Sequence, residues 1–230
     1  MGTAEQAVTI AVADAVAGAG RIEGDLRLPS DAAGIVVFAH GSGSSRHSPR
    51  NRMVAEALNG AGLATLLFDL LTPAEEAVDA HTRQLRFDIA LLAERLLVAC
   101  EAITERPDTG RLPVGSFGAS TGAAAALVAA AERPSSVRAI VSRGGRPDLA
   151  GDALPLVRAP TLLIVGGHDP QVIDMNRDAA ARMTCERELA IVPGATHLFE
   201  EPGTLEEVSR LANEWFTRHL TVQEPNAAGA

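Results

Sequence analysis

Four short runs of apolar and β-branched residues constrain this chain more than any other feature. They are Gly34–Ala39 (GIVVFA), Leu63–Phe68 (LATLLF), Val137–Ser142 (VRAIVS) and Thr161–Val165 (TLLIV). A strand with one face in water alternates apolar and polar residues, whereas a strand covered on both faces reads as a nearly continuous apolar run. Between these runs the period changes to that of a helix. The stretch from Asn51 carries Met53, Val54, Ala57 and Leu58 and ends near Gly60–Gly62, and the next helix sets Leu85, Ile89, Leu92, Leu96 and Ile103 on one face. Ala123–Ala131, Val172–Met183 and Leu205–Leu220 follow as helices, the last turning Val208, Leu211, Trp215 and Phe216 inward. Glu188–Val192 supplies one more strand. The expected architecture is therefore α/β, with a mostly parallel central sheet and helices on both faces.

Residues 6–29 differ in character. They alternate and turn at Gly18-Ala-Gly20, which predicts an antiparallel pair, Val8–Val16 with Arg21–Leu28, ahead of Pro29. Residues 72–80 (TPAEEAVDA) read as an acidic loop, and no stretch is long enough for a cap domain. Residues 1–221 are read as a single domain and 222–230 as a disordered tail.

Composition excludes some functions. No apolar run approaches the ~18 residues of a membrane span. A formal charge of −9 argues against a nucleic-acid binder, which needs a basic face. No basic segment leads into an apolar stretch near Met1, so a cytoplasmic location is the expectation. Cys100 and Cys185 lack metal-ligand spacing and read as buried thiols. No cofactor or metal is expected, and the chain is read as a monomer or homodimer whose partner is a small acyl substrate.

The chemistry gathers where predicted strands end. Gly118-Ala-Ser-Thr-Gly122 fits the G-x-S-x-G pattern, in which a serine sits on a sharp strand-to-helix turn and needs glycines where a Cβ would collide with the adjoining elements. Such a pattern also arises by chance as a helix cap. A serine hydroxyl needs a base, and the base needs a carboxylate to orient it. Asp169 in Gly166-Gly-His-Asp-Pro170 and His197 in Pro193-Gly-Ala-Thr-His197 follow Ser120 in that order, each after a predicted strand. Asp148 is the alternative acid. Read alone, Asp169 is an Asp-Pro turn and His197 a loop histidine. The oxyanion donors are expected to be the backbone N–H of Thr121 and that of Ser42, in the glycine-rich turn His40-Gly-Ser-Gly43. That turn lacks the phosphate-loop lysine pattern.

With these residues assembled, the chain resembles the α/β-hydrolase superfamily, within it the small, lidless dienelactone-hydrolase-like group, over about residues 34–220. The resemblance rests on His40–Asn51 (HGSGSSRHSPRN), Gly118–Gly122, Ser142–Asp148 (SRGGRPD), Gly166–Asp169 and Pro193–Pro202 (PGATHLFEEP). It extends to hydrolase proteins that occur alone or fused to a phosphoribosyltransferase-like domain, for which no stretch is seen here. It implies Ser120 as nucleophile, Asp169 as acid and His197 as base. Dienelactone hydrolases proper use a cysteine at the nucleophile position, so their substrate does not carry over.

The expected activity is hydrolysis of a small soluble ester, thioester or lactone. Acyl transfer, perhydrolysis and non-catalytic ligand binding are the alternatives. Arg46, His47, Arg50 and Arg52 follow the glycine-rich turn, and Arg143 and Arg146 follow a neighbouring strand. His40, Arg46, His47 and Arg143 are therefore candidate substrate contacts, with a carboxylate or phosphate on the substrate as the group they would hold. The competing reading pairs these arginines with nearby acids.

Overall fold

A computed structural model describes residues 5–220; the tail expected at 222–230 lies outside them. The first hairpin is β1 (Glu5–Val12) and β2 (Gly20–Arg27). It turns earlier than the alternation predicts, because Asp14 Oδ1 accepts the N–H groups of Val16 and Ala17, both at 2.7 Å, and takes these residues out of the strand. Then come β3 (Ile35–Ala39), α1 (Pro49–Gly60) and β4 (Ala64–Phe68). All five residues of β3, and all five of β4, are buried, as continuous apolar runs require.

The segment read as an acidic loop is a helix, α2 (Pro73–Thr82). Thr72 Oγ1 accepts the Glu75 N–H at 3.2 Å and Glu75 Oε2 accepts the Thr72 N–H at 2.9 Å, a reciprocal cap that stabilises the first turn, with Pro73 at the first helical position. Glu75 is fully buried, and its Oε1 also accepts the Ala15 N–H at 2.8 Å and Arg95 Nη2 at 2.6 Å. The helix that follows is shorter than its pattern suggests. Leu85 falls in a separate 3₁₀ turn, Leu85–Phe87, and α3 (Ile89–Glu105) starts after Asp88, whose Oδ1 accepts the Leu91 N–H at 3.1 Å.

The remaining elements are β5 (Val114–Ala119), α4 (Thr121–Glu132), β6 (Ala139–Arg143), a 3₁₀ segment Pro147–Leu156, β7 (Thr161–Gly166), α5 (Pro170–Arg182), β8 (Arg187–Val192) and α6 (Thr204–Leu220). Val208, Trp215 and Phe216 of α6 are buried, while Leu211 is half-buried against the same cluster.

The eight strands of the described residues form one sheet in the order β1-β2-β4-β3-β5-β6-β7-β8. β2 pairs antiparallel with β1 and β4, and every other pairing is parallel. One apolar cluster joins the sheet to α3 and α4, and another joins its opposite face to α1 and α6. This is the α/β-hydrolase fold. The chain leaves β3 for β4 on one side and returns to β5 on the other, so the loops after β3 and β5 diverge above adjacent strands. Open sheets of this kind carry their sites at such a switch point.

Candidate active site

Ser120 stands between β5 and α4 with φ +51° and ψ −117°, a conformation that a residue with a Cβ rarely adopts. Its surroundings enforce it. A Cβ at Gly118 would drive into the backbone of Ala123, and one at Gly122 would overlap the carbonyl oxygens of Ala39 and His40. Nine of the twelve α4 residues are buried, mostly alanines, which lets the helix sit close against the sheet and fixes its first turn. The Ser120 N–H donates to Arg143 O at 3.2 Å, and its carbonyl accepts from Arg146 N at 3.1 Å, so β6 also holds the turn.

His197 lies on the loop after β8 and Asp169 on the loop after β7. His197 Nδ1 is hydrogen-bonded to Asp169 Oδ2 at 2.8 Å, with 39% and 18% of the two side chains exposed. The loop carrying the histidine is anchored on both sides of it. The Thr196 N–H donates to Glu201 Oε2 at 3.0 Å, and Phe199 is buried at φ +57°. The imidazole lies over Gly144, where a Cβ would come 3.6 Å from His197 Cε1. Gly144 follows the residue whose carbonyl receives the Ser120 N–H, so the ring stands beside the serine turn; no hydrogen bond joins Ser120 Oγ to His197 in this structure. Asp148 makes no hydrogen bond to His197. Both its oxygens are taken by Arg146, at 2.9 and 2.8 Å.

Gly41 passes against the turn: a Cβ there would lie 3.2 Å from Ser120 Cβ. Ser42 and Thr121 both line a cavity of about 330 Å³, and neither backbone N–H has an acceptor among the described residues. The far wall of this cavity comes from Leu70, Leu71 and Leu92, with Glu76, Asp79 and Arg86 from the segment around α2. Burial and the neighbouring Asp69 carboxylate raise the Glu76 carboxyl above its usual range. The sequence reading missed this wall because it took α2 for a loop; the Thr-Pro-Ala-Glu start of the helix is the signal that reveals it.

The remaining candidates have other partners. His40 donates from Nδ1 to Gly41 O at 2.9 Å and accepts the Leu70 N–H on Nε2 at 3.1 Å. It is a neutral strut between two loops, its pKa lowered by burial. Arg46 grips Asp69 with Nη1 and lies 3.7 Å from Asp25. His47 is exposed and contacts Arg52, which pairs with Asp25 at 2.8 Å. Arg143 is buried, with one long hydrogen bond, 3.4 Å, to Asn51 Oδ1. The structure thus brings Asp169 and His197 together, sets Ser42 and Thr121 around one cavity, and leaves Arg46 and His47 tied to acids or to each other's neighbours.

The family model described as "Dienelactone hydrolase family" matches residues 22–221. The chain belongs to the dienelactone hydrolase family. A dienelactone hydrolase from Anabaena variabilis ATCC 29413 superposes with a TM-score of 0.90 at 60% identity, over 95% of this chain and 99% of that one. Est1E from Butyrivibrio proteoclasticus, at 16% identity, shares the fold with a TM-score of 0.75 over 92% of this chain and 98% of its own. The Mycobacterium tuberculosis H37Rv protein Rv0571c, provisionally named a phosphoribosyl transferase, is 61% identical over 211 residues, 92% of this chain and 47% of its own length. The chain spans about half the length of the curated relatives it matches, and the transferase name belongs to those longer proteins. Among the described residues no helix is long and apolar enough to cross a membrane.

Proposed function

We propose that this member of the dienelactone hydrolase family is a serine-dependent carboxylic ester hydrolase (EC 3.1.1) that acts on small soluble esters, thioesters or lactones. The observation that carries the reading is the 2.8 Å Asp169–His197 hydrogen bond beside a serine held at φ +51°. Asp169 fixes the tautomer with the proton on Nδ1, leaving Nε2 free to take the proton of Ser120 Oγ. Oγ then attacks the acyl carbon, and the N–H groups of Ser42 and Thr121 receive the oxyanion. The tetrahedral intermediate collapses to an acyl-enzyme, and the leaving alcohol or thiol takes the proton from His197. A water molecule deprotonated by His197 repeats the addition and releases the acid and Ser120.

The cavity of about 330 Å³ supports a small acyl or alcohol group. Its apolar wall receives a short chain, and Glu76 faces polar groups on the substrate rather than anionic ones. The pairing of Arg46 with Asp69 argues against that arginine as a substrate clamp. Steady-state hydrolysis of p-nitrophenyl acetate and butyrate tests the reading. Asp169→Asn is expected to lower kcat by roughly 10⁴-fold with little change in KM, because it releases the wrong histidine tautomer. A variant with parental kcat would remove Asp169 from the mechanism.

A further inference from the structure

Among the described residues two arginines are deeply buried, and their surroundings differ. Arg95, 1% exposed, is met by the Glu75 carboxylate at 2.6 Å. Arg143, 8% exposed, meets no carboxylate. Its Nη2 reaches only the neutral Asn51 Oδ1, and its Nε and Nη1 have no hydrogen-bond partner among the described residues. Its charged neighbour is a second cation, Arg50, whose Nε is also buried without a partner and whose Nη1 lies 3.0 Å from Glu200. Asn51 lies in the first turn of α1, which holds no acidic residue, so the positive end of that helix adds to the same field. Burial and Arg50 pull the Arg143 guanidinium down to about 10, which still leaves it charged near neutral pH.

An isolated buried charge is among the costliest features a fold can hold, and arginine does not relieve it by losing its proton near neutrality. We propose that Arg143 and Arg50, with the first turn of α1, form a binding site for a small anion, a halide or an oxyanion of phosphate size. Each arginine keeps a buried N–H group without a partner, and guanidinium forks match oxyanions well. The site joins the three segments that frame the catalytic centre. Arg143 ends β6 and holds the Ser120 N–H through its carbonyl, Arg50 follows the glycine-rich turn, and Glu200 lies three residues beyond His197. An anion seated there fastens the histidine loop to the serine turn.

The test uses the intact protein. Crystals soaked in sodium bromide are expected to show an anomalous peak against Arg143 and Arg50. Thermal melts in rising sodium phosphate are expected to show a saturable increase in Tm that is smaller in Arg50→Gln and absent in Arg143→Met, leaving only the general salt response. Equal salt responses in the parent and both variants, with only ordered water beside Arg143, would overturn the proposal. Should Arg143→Met fail to fold, Arg50→Gln and the bromide peak decide it. The anion is either free in solution or carried by the substrate as an acid group. Phosphate that raises KM for a half-ester of succinate but not for a neutral ester identifies the substrate as its source; phosphate that leaves both KM values unchanged identifies a free ion. The crystal and melting arms need no ester turnover, so they stand or fall separately from the hydrolase reading.

Discussion

At the scale of single residues, the proposed chemistry rests on a serine held where serine does not relax. Strain of this kind costs about 1–3 kcal/mol and persists only where the surroundings over-determine it, as the contacts of Gly118 and Gly122 do here. Ser120→Gly is therefore expected to abolish ester turnover while raising stability by about 1 kcal/mol in urea titrations, and Ser120→Ala to abolish turnover without that gain. Equal stability of the two variants would show that the strain is no larger than the extra chain entropy of glycine, about 0.5–1 kcal/mol. His40 gives a pH effect of known sign. Burial lowers its pKa in the folded state below the ordinary 6.5, so the unfolded chain binds a proton that the native state refuses. Stability is fully present above pH 6.5 and falls as the pH drops through that value. Between pH 7.5 and 5.5, His40→Gln is expected to lose less stability than the parent, read as the shift in urea midpoint. Serine, histidine and their order were visible in the sequence as strand-end residues. Asp169 was likewise the acid expected from the sequence, with Asp148 as the alternative; what the sequence did not show is that Arg146 occupies both oxygens of Asp148.

At the scale of elements, α2 shows how composition misleads. Proline and three acidic residues in nine positions look like solvated loop, yet two of those acids, Glu75 and Asp79, are buried and paired with Arg95 and Arg86. Long-range partners decide the outcome, and a local reading does not contain them. The helix then supplies a wall of the cavity, so its loss reaches the site. Removing one member of a buried ion pair leaves the other uncompensated, and Glu75→Ala is expected to cost about 3–5 kcal/mol in chemical denaturation. Thr72→Ala, which removes one half of the cap and the hydroxyl's hydrogen bond to Asp14 Oδ2, is expected to cost about 2 kcal/mol. A Glu75→Ala cost no larger than that of Thr72→Ala would mean that Arg95 finds another partner. The apolar strands β3, β4, β6 and β7, by contrast, were readable to within about two residues, since burial on both faces leaves a pattern that no neighbour alters, whereas β5, equally buried, was not, because Gly115, Ser116 and Gly118 break its run.

At the scale of the whole molecule, the order of strands does what no local motif can. Placing β4 outside β3, and β5 on its other side, brings Ser42 and the Ser120–Thr121 turn together from loops nearly eighty residues apart. The alternation of strand and helix predicted a parallel sheet, and parallel connection rules limit its topologies. The position of the reversal was not readable, because β3 and β4 are similar apolar runs, β5 is broken by Gly115, Ser116 and Gly118, and none identifies its neighbour. The arginine clusters depended on the same unknown. Asp25 comes from the N-terminal hairpin and Asp69 from the end of β4, and only the assembled sheet sets them beside Arg46. The central claim, that this architecture activates Ser120 through His197, is tested most directly by intact mass after brief exposure to a fluorophosphonate. One adduct on the parent, none on Ser120→Ala, and labelling slowed sharply in His197→Ala and Asp169→Asn is the expected result; a folded parent that takes up no label, or an adduct that survives Ser120→Ala, would contradict it.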